Sequence, residues 1–241
     1  MSATQLIVAL DFPAPEPALQ LARSLRGSVA WVKIGLELFL SGGQPLLESI
    51  KNMGFQIFLD LKFMDIPNTV QAATAQATRL GADMLTIHTL GGEKMCRAAL
   101  AGRDNALCSG QTPPLVVGVT VLTSLGPEDL VWNNEKTKDI SEFIVHLTTL
   151  AQSWKLDGVV CSGQEVRALR RVCQPEFALV TPGIRLPDAA ASDQARVCTP
   201  AQAMRDGSTF LVVGRPITRA TDPVIAAAQY LNVMNEPFAE E

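Results

Sequence analysis

No stretch of this sequence approaches the ~20 apolar residues that a bilayer span requires. A secretion pattern is lacking too. Met1 to Gln5 carry no positive charge, and the apolar run Leu6 to Leu10 stops at Asp11, short of the about 7–15 apolar residues of a signal core. Cysteine is sparse and unpatterned. Cys96, Cys108, Cys161, Cys173 and Cys198 are odd in number and no two stand C-x-x-C, which argues against a disulfide framework or a zinc site. They read as reduced packing residues, and a cytoplasmic location is expected. The chain has no Lys/Arg block and a formal charge of only −4, so neither nucleic acid nor membrane is an expected partner. An anionic ligand must then be held by local positive groups. No proline/glycine-rich linker and no low-complexity segment divides the 241 residues, so one domain over 1–241 is expected.

What the chain does have is apolar residues, at 47%, arranged in an alternation. Short β-branched runs predict strands at Gln5–Asp11, Val29–Ile34, Gln56–Lys62, Met84–His88, Leu115–Leu122, Gly158–Ser162, Ala178–Pro182 and Thr209–Arg215. Helical patterns fall between and after them: Pro15–Arg26, Pro45–Met53, Thr69–Leu80, Gly92–Gly102, Ile140–Trp154, Gly163–Val172, Pro200–Arg205 and Pro223–Val233. Gly81 and Gly207 mark helix ends, and Thr199-Pro200 marks a capped start. Strict βα alternation implies a parallel sheet, and eight repeats close a (β/α)₈, or TIM, barrel. A doubly wound open sheet is the competitor. It usually carries a Gly-rich turn after its first strand, where this chain reads Asp-Phe-Pro-Ala-Pro.

Strands of a parallel barrel are buried on both faces, so ionised residues inside them carry the information. Asp11, Lys33, Asp60 and Lys62 all lie at or near the C-terminal ends of the first three strands, the face where barrel enzymes place their sites. Asp60 and Lys62 are two apart, which puts both on one face of the strand and turns Leu59 and Leu61 to the helices. Lys33 belongs beside them on the neighbouring strand. The cluster is either catalytic or a salt-bridge network closing the barrel top. Asp65, in Asp65-Ile66-Pro67-Asn68-Thr69, is either functional or a turn residue, with Asn68 a candidate N-cap.

A second concentration lies late in the chain. The last strand runs into Gly214-Arg215-Pro216, and the seventh ends Thr181-Pro182-Gly183-Ile184-Arg185. Barrels bind phosphate between the loops after strands seven and eight, using backbone N–H groups and arginine. The alternative is solvent-exposed arginines at ordinary loop ends. The long polar segment Gly183–Thr199 is either a lid or an ordinary surface loop.

Asp60-Leu61-Lys62-Phe63-Met64-Asp65-Ile66-Pro67-Asn68-Thr69 resembles the signature D-x-K-x-x-D-I-P-N-T of the orotidine 5′-phosphate decarboxylases. Further matches run along nearly the whole chain, among them Lys33-Ile-Gly-Leu-Glu-Leu, Ile-His88-Thr-Leu-Gly-Gly, Thr-Pro182-Gly-Ile-Arg185 and Val-Gly214-Arg215-Pro-Ile. The length is similar to that of the single-function bacterial type. The resemblance implies decarboxylation of orotidine 5′-monophosphate to UMP and CO₂, with no metal and no organic cofactor, in a homodimer with shared active sites. It implies that Asp11 and Lys33 hold the ribose hydroxyls, and that Asp60 and Lys62 face the scissile carboxylate and C6. It sends Asp65 and Thr69 into the partner's site and sets Thr123, with Ser124, along the pyrimidine edge. Pro182, Arg185, Gln194, Gly214 and Arg215 would then hold the rest of the nucleotide, mainly its phosphate, and Arg196 competes with Arg185 for that contact. Lys62 is the implied proton donor, with Asp60, Lys33 and Asp65 around it.

Sugar-phosphate lyases of the same superfamily share the D-x-K-x-x-D core but use magnesium and carry an acidic residue at the place of Lys33. A non-catalytic nucleotide-binding barrel is the other rival. His88 reads as structural or hydrogen-bonding, and His146 as a surface residue of a helix.

Overall fold

The computed structural model of the protein describes residues 4–125, 129, 131–132, 135–136, 140–187 and 198–236. Its strands are β1 Gln5–Ala9, β2 Trp31–Gly35, β3 Gln56–Phe63, β4 Met84–His88, β5 Leu115–Val119, β6 Val131–Trp132, β7 Glu135–Lys136, β8 Gly158–Val160, β9 Ala178–Thr181 and β10 Phe210–Val213. Its helices are α1 Pro15–Leu25, α2 Leu36–Asn52, α3 Pro67–Arg79, α4 Gly92–Ala106, α5 Ile140–Ser153, α6 Val166–Arg170, α7 Pro200–Arg205, α8 Arg215–Thr218 and α9 Pro223–Asn235. Eight strands close a barrel in the order β1-β10-β9-β8-β5-β4-β3-β2, and β6 and β7 form a separate antiparallel ribbon. Every barrel pairing is parallel. The TIM-barrel expectation holds, and the open sheet is excluded by the β1–β10 closure.

All eight expected strands form, but several stop short of their expected C-terminal ends. Asp11, Leu122, Ser162, Pro182 and Arg215 lie past the last ladder residues. The ladders end where neighbouring strands diverge into βα loops, and there Asp11, Leu122, Pro182 and Arg215 line the cavities of the barrel mouth.

Two apolar layers hold the barrel. The inner one includes Ile7, Ala9, Trp31, Phe58, Met84, Val180, Phe210 and Val212. Trp31 and Phe210 meet edge to face at 5.4 Å and 72°, a favoured aromatic geometry. The lower barrel is therefore solid, and a ligand can enter only from the C-terminal rim. The outer layer joins the opposite strand faces to the helices, with Val8, Val32, Ile34, Leu59 and Leu211 fully buried or nearly so.

Helix signals hold at most ends. Gly81 (φ 82°) and Gly207 (φ 99°) follow α3 and α7, and the Thr199 side chain accepts the Gln202 N–H. Two expectations need correction. Asn68 is not an N-cap: Ile66 holds that place, Pro67 opens the first turn, and no side chain caps it. A first-turn proline has no N–H to satisfy, which lightens the need for a cap. The helix expected at Pro45 is also preceded by helical residues from Leu36, joined through Gly43 at φ 52°, ψ −149°. Only glycine enters that conformation without strain.

Helices α3 and α4 touch through Gly102, where an added Cβ would stand 2.1 Å from the Gln71 carbonyl oxygen. Intrinsic propensity favours alanine over glycine in a helix by ~1 kcal/mol, while overpacking costs ~1–3 kcal/mol. Backbone is the obstacle, so the clash wins. Gly102→Ala is expected to lower the urea midpoint, and an unchanged or higher midpoint would show that the two helices simply separate.

Candidate active site

Strand alternation carries the inner layer upward into charge. Above Trp31 the next inward residue of β2 is Lys33, above Phe58 on β3 is Asp60, and above Met84 on β4 are Thr86 and then His88. Lys33 Nζ donates to Asp11 Oδ1 at 2.9 Å and lies 3.5 Å from Asp60 Oδ2. Lys62 Nζ donates to Asp60 Oδ1 at 2.7 Å, and the Thr86 hydroxyl donates to the same oxygen at 3.0 Å. Three consecutive strands thus meet at the Asp60 carboxylate, and Asp11, after β1, joins the array through Lys33.

Lys62 does not reach this place as an ordinary strand residue. Its φ is +51°, and the β3–β4 register shifts between Leu59 and Phe63. A non-glycine residue in such a conformation costs ~1–3 kcal/mol and persists only where its surroundings hold it. Here the Lys62 N–H donates to Thr86 Oγ1 at 2.8 Å, and the ammonium is held by Asp60. The expectation that Asp60 and Lys62 share a face is met, with a bulge rather than plain alternation supplying the geometry.

The electrostatics follow from burial set against partners. Burial alone would lower the Lys33 ammonium, but Asp60 and Asp11 outweigh it and hold the group above its ordinary value. Burial would raise Asp60, but Lys33, Lys62 and the Thr86 hydroxyl outweigh that and hold its carboxyl below the usual carboxylate range. His88 is lowered by burial and then by the Lys62 charge, with Asp60 opposing. Its Nδ1 is buried without a hydrogen-bond partner among the described residues. His146 is exposed on α5, as expected.

Two cavities open on this array. One of about 160 Å³ has Lys33, Asp60 and Lys62 at one side and Val119, Val121 and Val180 as apolar wall, with Thr123 at its edge. The other, of about 480 Å³, runs from Asp11 and Lys33 past Gly183, Arg185, Gly214 and Arg215. Lys33, Pro182 and Val212 line both, so the two are adjoining halves of one cleft. A further cleft of about 580 Å³ lies at the start of β5, among Leu115, Asp157 and Phe177. It is at the N-terminal end of the barrel, and its Asp157 carboxylate is engaged by Arg103 and the Val116 N–H. We assign the site to the C-terminal cleft on chemistry, not size.

The structure thus brings together Asp11, Lys33, Asp60, Lys62, Thr123, Pro182, Arg185, Gly214 and Arg215. Ser124 is exposed beside Thr123 and lines neither cavity. Asp65 and Thr69 are exposed and also line neither. The Asp65 carboxylate accepts the Ile66 N–H at 2.6 Å, so it does serve a turn within its own chain. Gln194 and Arg196 lie outside the described residues, as does most of the Gly183–Thr199 segment. Its ends are joined by the Ile184–Cys198 bridge. Sequence reasoning missed Thr86, Glu37 and Arg219. Thr86 was signalled by its inward place two residues before His88. Glu37 and Arg219 line the larger cavity from the ends of other strand–helix units and carried no local signal. Among the described residues no cluster of three or more His, Cys, Asp or Glu is placed to hold a metal ion.

A sequence model of the orotidine 5′-phosphate decarboxylase / HUMPS family matches residues 4–230. The chain belongs to that family. It is 46% identical over 232 residues to an orotidine 5′-phosphate decarboxylase of Maridesulfovibrio salexigens, covering 96% of this chain and 99% of that one. It is 48% identical over 224 residues to one of Nitratidesulfovibrio vulgaris, covering 92% and 94%. A crystal structure of orotidine 5′-phosphate decarboxylase from Lactobacillus acidophilus superposes with a TM-score of 0.86 at 35% identity, covering 97% of this chain and all of that one.

Because the folded value of Asp60 lies below 3.8, its ionic contribution to stability is complete above that pH and is lost as the pH falls through the lowered value. The difference in unfolding free energy between the wild type and Asp60→Asn is expected to shrink from about pH 5 towards about pH 2. A difference that stays flat over that range would mean that Asp60 is not held as an ion.

Proposed function

We propose that this chain decarboxylates orotidine 5′-monophosphate to UMP and CO₂, the last step of UMP biosynthesis, and that Lys62 delivers the proton to C6. The observation that carries this reading is the Lys33–Asp60–Lys62 array at the junction of an apolar-walled cavity and an arginine-lined one. The pyrimidine fits the first, against Thr123 and the valines. The ribose lies by Asp11 and Lys33, and the phosphate by Arg185, Gly214 and Arg215, with Gln194 assigned to the phosphate by the family resemblance alone. Helix α8 has only four residues, so the anion is held by guanidinium and backbone N–H groups more than by a helix dipole.

The bond from C6 to the carboxylate breaks, CO₂ leaves, and the electron pair remains on C6 in the plane of the ring. The Lys62 ammonium attracts that developing charge and then gives C6 a proton, becoming an amine that water reprotonates. Asp60 stands where the substrate carboxylate arrives. Their repulsion is relieved as CO₂ leaves. Asp60 and Lys33 fix Lys62 before the reaction, so little reorganisation is needed when charge appears. Contacts far from C6, at the phosphate, supply binding energy that can be expressed in the chemical step.

Asp65 and Thr69 are assigned to the neighbouring subunit's site in a homodimer, where Asp65 would reinforce the charge array around Lys62. Their exposure supports this, and so do the apolar residues around them. Ile66 is 68% exposed and Met64 54%, on either side of Asp65 in the chain, an exposed apolar stretch of the kind that marks an association face. The family also includes sugar-phosphate lyases. The Lys33 ammonium between two carboxylates, where a cation ligand would be needed, disfavours that chemistry for this chain. Cytoplasmic location and a single barrel over 1–241 complete the reading, and no described helix is long and apolar enough to cross a membrane.

Lys62→Ala and Asp65→Ala are each expected to abolish loss of orotidine-monophosphate absorbance while leaving the fold intact. Mixing the two inactive proteins is then expected to restore about one quarter of wild-type activity, since half the dimers are mixed and each has one undamaged site. No recovery would remove the shared-site assignment, and near-full activity of Lys62→Ala would remove the proton donor. Arg215→Ala is expected to lower kcat/KM for the nucleotide by about 10²-fold or more, the scale of a lost charge-assisted contact. Orotidine without its phosphate should be turned over equally by both proteins, and equal losses on the two substrates would refute the phosphate role.

A further inference from the structure

We propose that the arginine end of the larger cavity has a subsite for a second phosphate, so that the chain binds uridine 5′-diphosphate as well as UMP, with Arg219 selecting it. This rests on the nucleotide reading above and extends it. The cavity does not end at Arg215 but continues to Arg219. The Arg219 N–H donates to the Arg215 carbonyl at 3.0 Å, so the two residues are one helical turn apart and their side chains share a side. A phosphate held at Gly214 and Arg215 therefore has a second guanidinium beyond it, on the side facing solvent.

The Arg219 side chain has no evident structural task. It is exposed, and its guanidinium makes no hydrogen bond or ion pair among the described residues. Glu37 lines the same cavity from the first turn of α2, yet no ion pair joins it to Arg219. Its negative charge bars an added phosphate from the α2 side, which leaves the Arg219 side. A guanidinium offers paired donors to a terminal phosphate oxygen pair, and that contact is absent for UMP. The ligand differs from the proposed product by one phosphoryl group, and it would occupy the active site as a competitive inhibitor.

The test compares inhibition constants of UMP and UDP against decarboxylation by the wild type, Arg219→Ala and Arg219→Lys. Competitive inhibition by UDP is expected. Arg219→Ala should weaken UDP about tenfold while UMP and kcat change by less than about twofold, the difference of one charge-assisted contact. Arg219→Lys should recover most of the lost UDP affinity. If Arg219→Ala leaves UDP unchanged, or weakens both nucleotides equally, the subsite is overturned. If neither nucleotide inhibits the wild type, the failure lies instead with the nucleotide reading.

Discussion

A carboxylate buried between two ammonium groups governs this molecule. Asp60 is 12% exposed at its side chain, as is Lys33, while Lys62 keeps 32%. Placing ions in such a setting costs several kcal/mol each, and the pair interaction offsets that cost only when every partner is in position. The partners here come from different strands. Lys33 is set by β2, Lys62 by the bulge in β3, and Thr86 by β4, while Asp11 follows β1. The barrel must therefore close in one register for the array to be tolerated at all. Of the two ammonium groups, Lys62 is the more exposed, and it lines the apolar-walled half of the cleft.

The solid floor beneath it serves the chemistry. Trp31, Phe58, Met84 and Phe210 fill the lower barrel, so the charges rest on an unyielding apolar layer. Val119, Val121 and Val180 line the adjoining cavity. A wall of that kind keeps water out and lowers the local dielectric, which strengthens the fields from Lys62 and Asp60. The strained Lys62 backbone belongs to the same arrangement. Its φ of +51° is unfavourable in isolation, and the Thr86 hydroxyl and Asp60 carboxylate compensate it from two directions. On the other side of the cleft the scaffold is different: Arg185 lies in the loop after β9, and Arg215 and Arg219 stand at the two ends of the single turn of α8.

The alternation of apolar runs with helical patterns was legible because each strand and helix is a local event. The β-branched cores of all eight barrel strands, the proline and threonine at Thr199-Pro200 and the glycines Gly81 and Gly207 each act on near neighbours. Errors gathered where a local rule had two acceptable outcomes. Asn68 and Ile66 are both within reach of the α3 start, and Pro67 decided between them by needing no cap. Gly43 permits a break that lets residues from Leu36 wind into helix ahead of Pro45. Strand ends were overextended because an apolar continuation such as Val121-Leu122 does not tell where a neighbouring strand diverges.

By itself the sequence determined the repeat, the charged residues at the strand ends and the Asp60-x-Lys62-x-x-Asp65 string, since each follows from composition and spacing along a few residues. Tertiary structure alone decided that Lys62 bonds Asp60 through a bulge, that Thr86 completes the carboxylate's shell, and that Arg219 and Glu37 join a cavity begun by Asp11. It also left Asp65 and Thr69 outside the cleft of their own chain. These outcomes depend on barrel closure, which brings together groups far apart in the chain, and no local preference of the backbone encodes the distance between them.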